Sequence, residues 1–145
     1  MFKHLLLPTD GTPASSKAIL AALEFAKSIN ATVTGLYVIP PFQALTLDAD
    51  MIGDTREQYK RHAQREADKF LAEIDCAADK AGVACTVQSV THDDPFEAII
   101  STARGQGCDL IAMASHGRRG VKGFLLGSET QKVLTHSTIP VLVYR

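Results

Sequence analysis

Residues 108–129 read CDLIAMASHGRRGVKGFLLGSE, an apolar run, a glycine-rich basic segment and a capping pattern in succession. The apolar run at 108–114 predicts a buried strand, and the capping pattern predicts a helix from Ser128. Glycines let backbone amides approach a ligand closely, and a helix N-terminus adds partial positive charge. This order favours a phosphate site at the end of a strand in an α/β sheet. The alternative interpretation is a mobile surface loop with solvated charges.

The rest of the chain alternates in the same way between apolar β-rich runs and amphipathic segments. Such alternation predicts parallel strands joined by right-handed crossovers. We therefore predict one doubly wound α/β domain over residues 1–145, a five-stranded parallel sheet with two helices on each face. Strands are predicted at 2–8, 31–39, 83–90, 108–114 and 138–144, with 83–90 at a sheet edge. Helices are predicted at about 13–28, 55–81, 95–104 and 128–136.

Three helix starts carry capping signals. Thr12 and Asp94 each precede a proline, which suits a cap followed by the first helical position. Asp94 with Glu97, and Ser128 with Gln131, also have the spacing of capping boxes. Residues 40–54 have no clear period and are predicted to form a long loop.

Composition excludes several classes of function. The chain has 145 residues, a net charge of −1 and no apolar run near the roughly 18 residues that span a bilayer. General binding to nucleic acid or to an anionic membrane is therefore not expected. The first residues lack the features of a signal peptide, which favours a cytoplasmic protein. The three cysteines form no CxxC and suit reduced structural thiols, and the five histidines show no metal-ligand spacing.

A carboxylate is predicted to face the glycine-rich segment. Asp10 follows the first strand and the glycines follow the fourth, so both meet at the carboxyl edge of the sheet. There Asp10 could accept hydrogen bonds from ribose hydroxyls or help hold a divalent metal. It could equally form a local turn with the amides of Gly11 or Thr12. Neither standard phosphate fingerprint is present, since the chain has no GxxxxGK[ST] and the first turn is not GxGxxG.

These residues resemble the universal stress protein family, in its ATP-binding branch. The resemblance rests on Asp10, on an A-x2-G-x9-G-S pattern from Ala114 to Ser128, and on the terminal TIPVLV at 138–143, and it covers essentially the whole chain. It implies the strand order 3-2-1-4-5 and a homodimer formed through the last strand, 138–144. It also implies ATP, or AMP or ADP, in the crevice, together with Mg²⁺.

The resemblance further implies a role for individual residues. Gly117, Gly127 and Ser128 would contact phosphates and ribose, Asp10 would lie near the ribose or the metal, and Val38 would meet adenine through its backbone. The predicted nucleotide-binding set is completed by Pro8, Thr9, Thr12, Met113, Ala114, His116, Arg118, Glu129 and Thr130. His116 is interpreted as a wall residue and not as a base.

Two departures from the family pattern leave the function open. Ala114 stands in place of the first glycine of the ATP-binding pattern, and Asp93 in place of a frequent glycine. We expect a nucleotide-binding stress regulator or sensor with at most slow ATP hydrolysis, because no general base is evident. The alternatives are a dimeric interaction module that binds no nucleotide, and an ATPase or a kinase acting on itself at a hydroxyl such as Ser128.

Overall fold

The computed structural model of the chain describes residues 1–43, 49–117 and 125–145. Within them, strands and helices alternate from end to end. The elements are β1 (His4–Thr9), α1 (Pro13–Ser28), β2 (Thr32–Ile39), α2 (Ala49–Ala81), β3 (Cys85–Thr91), α3 (Pro95–Gly105), β4 (Leu110–Ala114), α4 (Ser128–His136) and β5 (Val141–Tyr144).

The strands form one parallel sheet in the order β3-β2-β1-β4-β5, which confirms the predicted order. The central strand β1 pairs with β2 from His4↔Thr32 to Thr9↔Tyr37, and with β4 through Leu5↔Leu110. The chain thus reverses its direction of winding between β1 and β4. Ligands of open α/β sheets bind at such a switch point, outside the carboxyl ends of the strands.

Each face of the sheet buries its own apolar cluster. Successive side chains of β1 point to opposite faces, so Leu5 and Leu7 join the cluster under α1 and α2, whereas Leu6 joins the cluster under α3 and α4. Burying a leucine fully stabilises the fold by about 1.5–3 kcal/mol, and all three leucines are fully buried. Two helices therefore cover each face, as predicted. No helix in the described part of the chain is long and apolar enough to cross a membrane.

The predicted start of the second helix is wrong. Helix α2 begins at Ala49, so the last six residues of the predicted loop 40–54 are helical. A loop was predicted because the segment has no clear period. It contains the weak helix formers Asp50, Gly53 and Asp54, but one glycine inside a helix costs only about 1 kcal/mol. Once the long amphipathic part has nucleated, each further residue adds a hydrogen bond, and the helix extends over these weak formers.

The capping predictions fared differently from one helix to the next. Thr12 caps α1 as predicted, because its Oγ1 accepts from the backbone amide of Ser15 at 3.3 Å. Asp94 occupies the cap position of α3 but makes no side-chain cap bond, and its own amide donates to Nδ1 of His92 at 2.9 Å. The predicted box between Asp94 and Glu97 is therefore wrong.

The cap predicted at Ser128 is also wrong. Gly127 is the cap residue of α4 and Ser128 is its first helical residue. The side chain of Gln131 donates to the carbonyl of Leu126 at 3.0 Å, so it does not form a capping box with Ser128. A glycine is accepted at the cap position because its conformation there is extended, with φ −61° and ψ 151°.

Candidate functional site

Asp10 lies at the carboxyl end of β1 with its side chain fixed by its own turn. Its Oδ1 accepts from the amide of Thr12 at 3.0 Å, from Oγ1 of Thr12 at 2.6 Å and from Oγ of Ser15 at 2.7 Å. The local turn expected of Asp10 is thus present, with Thr12 supplying the amide. These bonds set the plane of the carboxylate, so the turn and a ligand-facing role are compatible.

Gly117 lies against Asp10 from across the crevice. A Cβ built on Gly117 would overlap Oδ2 of Asp10, so no larger residue fits there without moving the carboxylate. The turn after β1 and the loop after β4 therefore approach each other as closely as a glycine permits. The sequence predicted that these two loops would meet at the switch point, and the structure places them together there.

Gly127 closes the base of the loop that Gly117 begins. Its amide donates to the carbonyl of Ser115 at 2.7 Å, and a Cβ on Gly127 would lie 3.1 Å from Cα of His116 and 3.3 Å from the Ser115 oxygen. Gly117 and Gly127 are therefore close neighbours, one on each side of the segment 118–126. Because the cap residue of α4 is a glycine, the cap position itself offers no side chain to the amides of the first turn. Such amides suit an anion from outside the chain.

Other predicted site residues lie at the same edge of the sheet, but most of their side chains are apolar and wholly or partly buried. Ala114 is almost fully buried, and strand alternation puts its methyl on the side of Leu110 and Ala112, toward α1. Met113 is buried in the opposite cluster, against which Val38 is partly buried. Pro8 is half-buried and Ser128 is exposed. Predicted roles for Val38 and Ala114 therefore fall on their backbone groups.

Three predicted side chains form hydrogen bonds with other parts of the protein. Thr9 is buried on the α1–α2 side, where it borders a hollow of about 190 Å³ with Phe70 and Ile74, and its Oγ1 accepts from the amide of Gly11 at 3.1 Å. Thr130 is buried, and its hydroxyl donates to the carbonyl of Ala114 at 3.0 Å. It ties the end of β4 to the start of α4.

Glu129 is the third of these side chains, and it turns toward α3. Its Oε2 accepts from the amide of Phe96 at 3.0 Å and its Oε1 pairs with Lys132 at 3.3 Å. Glu129 therefore supplies the side-chain acceptor to α3 that Asp94 does not. His116 sits at the crevice with Nδ1 3.1 Å from Oγ of Ser115. Arg118 lies outside the described residues.

Sequence reasoning missed Ser15 and Ser115. Ser15 is buried in the first turn of α1 and bonds Asp10; its position three residues after the Thr12 cap was the available signal. Ser115 is buried directly after β4, and its amide donates to the carbonyl of Tyr144 at 2.7 Å. That contact links the base of the glycine loop to the last strand. No pattern in the sequence indicates it, because the partners are far apart in the chain.

A cluster of possible metal ligands also lies outside the predicted site. His92, Asp94 and Glu97 bring one ligand atom each to within 4.8 Å of one another. Nδ1 of His92 accepts from the Asp94 amide, so the proton of the neutral ring is on Nε2. The Nε2 that faces Glu97 at 3.8 Å then has no lone pair for a metal. This arrangement fits a local cap better than a cation site.

Two of the three cysteines, Cys85 and Cys108, lie in surroundings that disfavour the reactive thiolate. Burial raises the pKa of the Cys85 thiol to about 11, with Asp75 adding to the effect. Burial also raises the pKa of the Cys108 thiol to about 11, aided by Asp109. Both thiols stay protonated at neutral pH, which suits the structural role expected of them.

Comparisons with known proteins agree with the fold. The sequence profile of the Universal stress protein family matches residues 1–145. A universal stress protein of Thermus aquaticus is 32% identical, with 100% of both chains covered. The solved structure of protein MJ0577 of Methanocaldococcus jannaschii has a TM-score of 0.76 at 29% identity, with 99% of this chain and 95% of that one covered. The structure of a universal stress protein in complex with cAMP has a TM-score of 0.73 at 26% identity and 99% and 97% coverage.

Proposed function

The chain belongs to the universal stress protein family, and from that premise we propose that it binds an adenine nucleotide, ATP or its products ADP and AMP. Occupancy of the site would make the protein a regulator or sensor in the stress response. A relative of similar fold at 26% identity has been solved with cAMP, which supports an adenine nucleotide as the class of ligand.

One observation carries the proposal, the glycine cradle formed by Gly117 and Gly127. A Cβ at Gly117 would overlap the Asp10 carboxylate, and a Cβ at Gly127 would crowd the backbone of Ser115 and His116. Glycine leaves no Cβ at either position, and the cap position of α4 has no side chain to bond the amides of the first turn. Amides of this kind form a concave anion site, to which the helix N-terminus adds partial positive charge.

The nucleotide parts can be assigned to residues at this edge of the sheet. Phosphates would contact the amides near Gly117 and Gly127 and the exposed hydroxyl of Ser128. Asp10 would accept from ribose hydroxyls or share in holding Mg²⁺, for which a carboxylate is a preferred ligand. The backbone at Val38, close to the carboxyl end of β2, would meet the adenine.

Any hydrolysis would be slow. A general base must reach the attacking water and must be able to take its proton. Among the described residues, the crevice offers Asp10, whose Oδ1 already accepts three donors, and His116, whose Nδ1 faces Ser115. Binding, and not turnover, is therefore the proposed signal.

We also propose a cytoplasmic homodimer that forms through the segment 138–144. β5 is an edge of the sheet, and its residues Val141–Tyr144 are only half-buried although all are apolar or aromatic. An apolar edge strand invites pairing with another strand. Light scattering should give twice the mass of one chain, and Val143→Glu should give the mass of a monomer. A wild-type monomer at micromolar concentration would contradict the dimer.

Isothermal titration with Mg-ATP tests the nucleotide site. Protein stripped of bound nucleotide should give a saturable heat with one site per chain, and Gly127→Val should abolish it by filling the cradle. The matched control is Gly105→Val, because nothing lies within 4 Å of a Cβ at Gly105. No heat from the wild type up to millimolar ATP would contradict the proposal. A dimer that gives no heat would instead favour the interaction module that binds no nucleotide.

A further inference from the structure

Ser15 contacts the proposed ribose-binding carboxylate from inside helix α1. Its side chain is buried, and its Oγ lies 2.7 Å from Oδ1 of Asp10. Ser15 belongs to the first turn of α1, so its backbone is fixed by the helix and by the Thr12 cap. The hydroxyl therefore reaches Asp10 from a rigid position.

Thr12 and Ser15 each donate one hydroxyl proton to the Asp10 carboxylate. Thr12 has one hydroxyl proton and two acceptors near it, Asp10 Oδ1 at 2.6 Å and Ser15 Oγ at 3.3 Å. The shorter bond takes the proton, and the lone pairs of Thr12 Oγ1 accept the amide of Ser15. The proton of Ser15 is then left for Asp10. Oδ1 thus receives one donor from the backbone and one from each hydroxyl.

We propose that Ser15 is a positioning residue that sets the Asp10 carboxylate for the ribose hydroxyls; the inference rests on the proposed nucleotide site. The terminal torsion of an aspartate is broad and roughly two-fold, so the carboxylate plane is set by its hydrogen bonds. Three donors on Oδ1 orient the plane so that Oδ2 lies toward Gly117. A group held in its bound orientation loses less freedom on binding.

The chain supplies a matched control in the next residue. Ser16 is also a serine in the first turns of α1, but it borders the α1–α2 hollow with Leu20 and Phe70. Alanine is the better helix former at either position, so both substitutions are compatible with the fold. Ser15→Ala removes a donor from Asp10, whereas Ser16→Ala does not.

The test compares ATP with 2′,3′-dideoxy-ATP, which lacks both ribose hydroxyls. Titrations with Mg²⁺ present would use the wild type, Ser15→Ala and Ser16→Ala, each checked for unchanged thermal unfolding. The wild type should bind ATP about 10-fold more tightly than the dideoxy analogue, as a charged hydrogen bond allows. Ser15→Ala should lose most of that preference, with ATP weakened about 10-fold and the analogue changed less than about 2-fold. Ser16→Ala should keep the preference.

The other outcomes separate the two proposals. If Ser15→Ala weakens both ligands equally, or keeps the wild-type preference, the positioning role is overturned and the nucleotide site stands. If the wild type binds both ligands equally well, Asp10 does not bind the ribose hydroxyls and the inference is overturned as well. If the wild type binds neither, the nucleotide site itself is wrong, and the inference with it.

Discussion

Two aspartates at opposite ends of the sheet make a direct comparison. Asp10 follows β1 at the carboxyl end, and Asp109 precedes β4 at the amino end. Asp109 accepts the amide of Lys3 at 2.8 and 3.1 Å and the amide of His4 at 3.0 Å. Burial disfavours its charged form, but the amides of His4 and Lys3 outweigh burial and lower the pKa of the carboxyl below its ordinary value. Both aspartates are thus held by several donors.

What differs is the space beside each carboxylate. The donors of Asp109 are backbone amides at the start of β1, so its bonds join two neighbouring strands. Asp10 is held by Thr12 and Ser15, and Gly117, which faces it in the described part of the chain, has no side chain. The number of hydrogen bonds to an aspartate therefore does not distinguish a ligand site from a contact that only joins two strands. Under the proposed function, the difference is made by the glycine opposite Asp10 and by the cap position of α4, which has no side chain.

The largest effect is expected from a substitution at Gly117, and it is a loss of nucleotide affinity. Gly117→Ala should weaken Mg-ATP binding by about 100-fold, because the new methyl displaces the Asp10 carboxylate and fills the cradle. Gly105→Ala is the control, since it adds a methyl to open space and should leave affinity unchanged. Titration calorimetry gives both values. Equal affinity in the two variants would show that the cradle is not the binding site.

A pair of turn glycines should show an effect of comparable size on the free energy of unfolding. Gly11 and Gly107 both have positive φ, +79° and +70°, but a Cβ on Gly11 would lie 2.5 Å from Cε2 of Phe70, whereas nothing lies within 4 Å of one on Gly107. Gly107→Ala should lower the free energy of unfolding by about 1 kcal/mol because of backbone strain. Gly11→Ala should lower it by about 2–4 kcal/mol, because the new methyl group also overlaps Phe70. Urea unfolding measures both. Equal losses would mean that Phe70 moves aside at no cost.

Asp109→Asn should lower stability by about 1 kcal/mol at pH 7, because hydrogen bonds to a charge are lost at a partly exposed position. The folded pKa of Asp109 is lowered, so its contribution is fully present above the ordinary pKa of about 4. It is lost as the pH falls through the folded value. Urea unfolding from pH 7 to pH 2 should therefore show the two proteins converging, with ATP affinity at pH 7 unchanged. If the difference in free energy of unfolding between the two proteins were the same at every pH, the charge of Asp109 would not be what stabilises this contact.

The smallest effect concerns the start of α3. Glu129→Ala should lower the free energy of unfolding by about 0.5–1 kcal/mol, because the Glu129 carboxylate accepts the Phe96 amide in place of a local cap. Glu97→Ala should lose less, since Glu97 does not form the capping box predicted for it. Thermal unfolding of the two variants makes the comparison. A larger loss at Glu97 would restore the predicted box.

Local chemistry made much of the fold and part of the site predictable. The cap at Thr12 and the placement of Asp10 opposite the glycines followed from turn residues and from the position of strand ends. The strand order came from the family resemblance. Ser128 and Asp94 were predicted as caps because serine and aspartate favour that position, but a glycine and a glutamate from α4 serve instead. Contacts such as Asp109 with Lys3 join residues more than 100 positions apart, and no local pattern encodes them.

Amide chemical-shift mapping with Mg-ATP tests most directly whether the carboxyl end of the sheet is the ligand site. In a ¹H–¹⁵N correlation spectrum, the amides of 10–12, Gly117 and 127–130 should shift in a saturable way. The amides of Lys3, His4 and Asp109 at the opposite end should not move. Saturable shifts at the amino end, or only around the α1–α2 hollow near Phe70, would contradict a ligand site at the carboxyl end of the sheet.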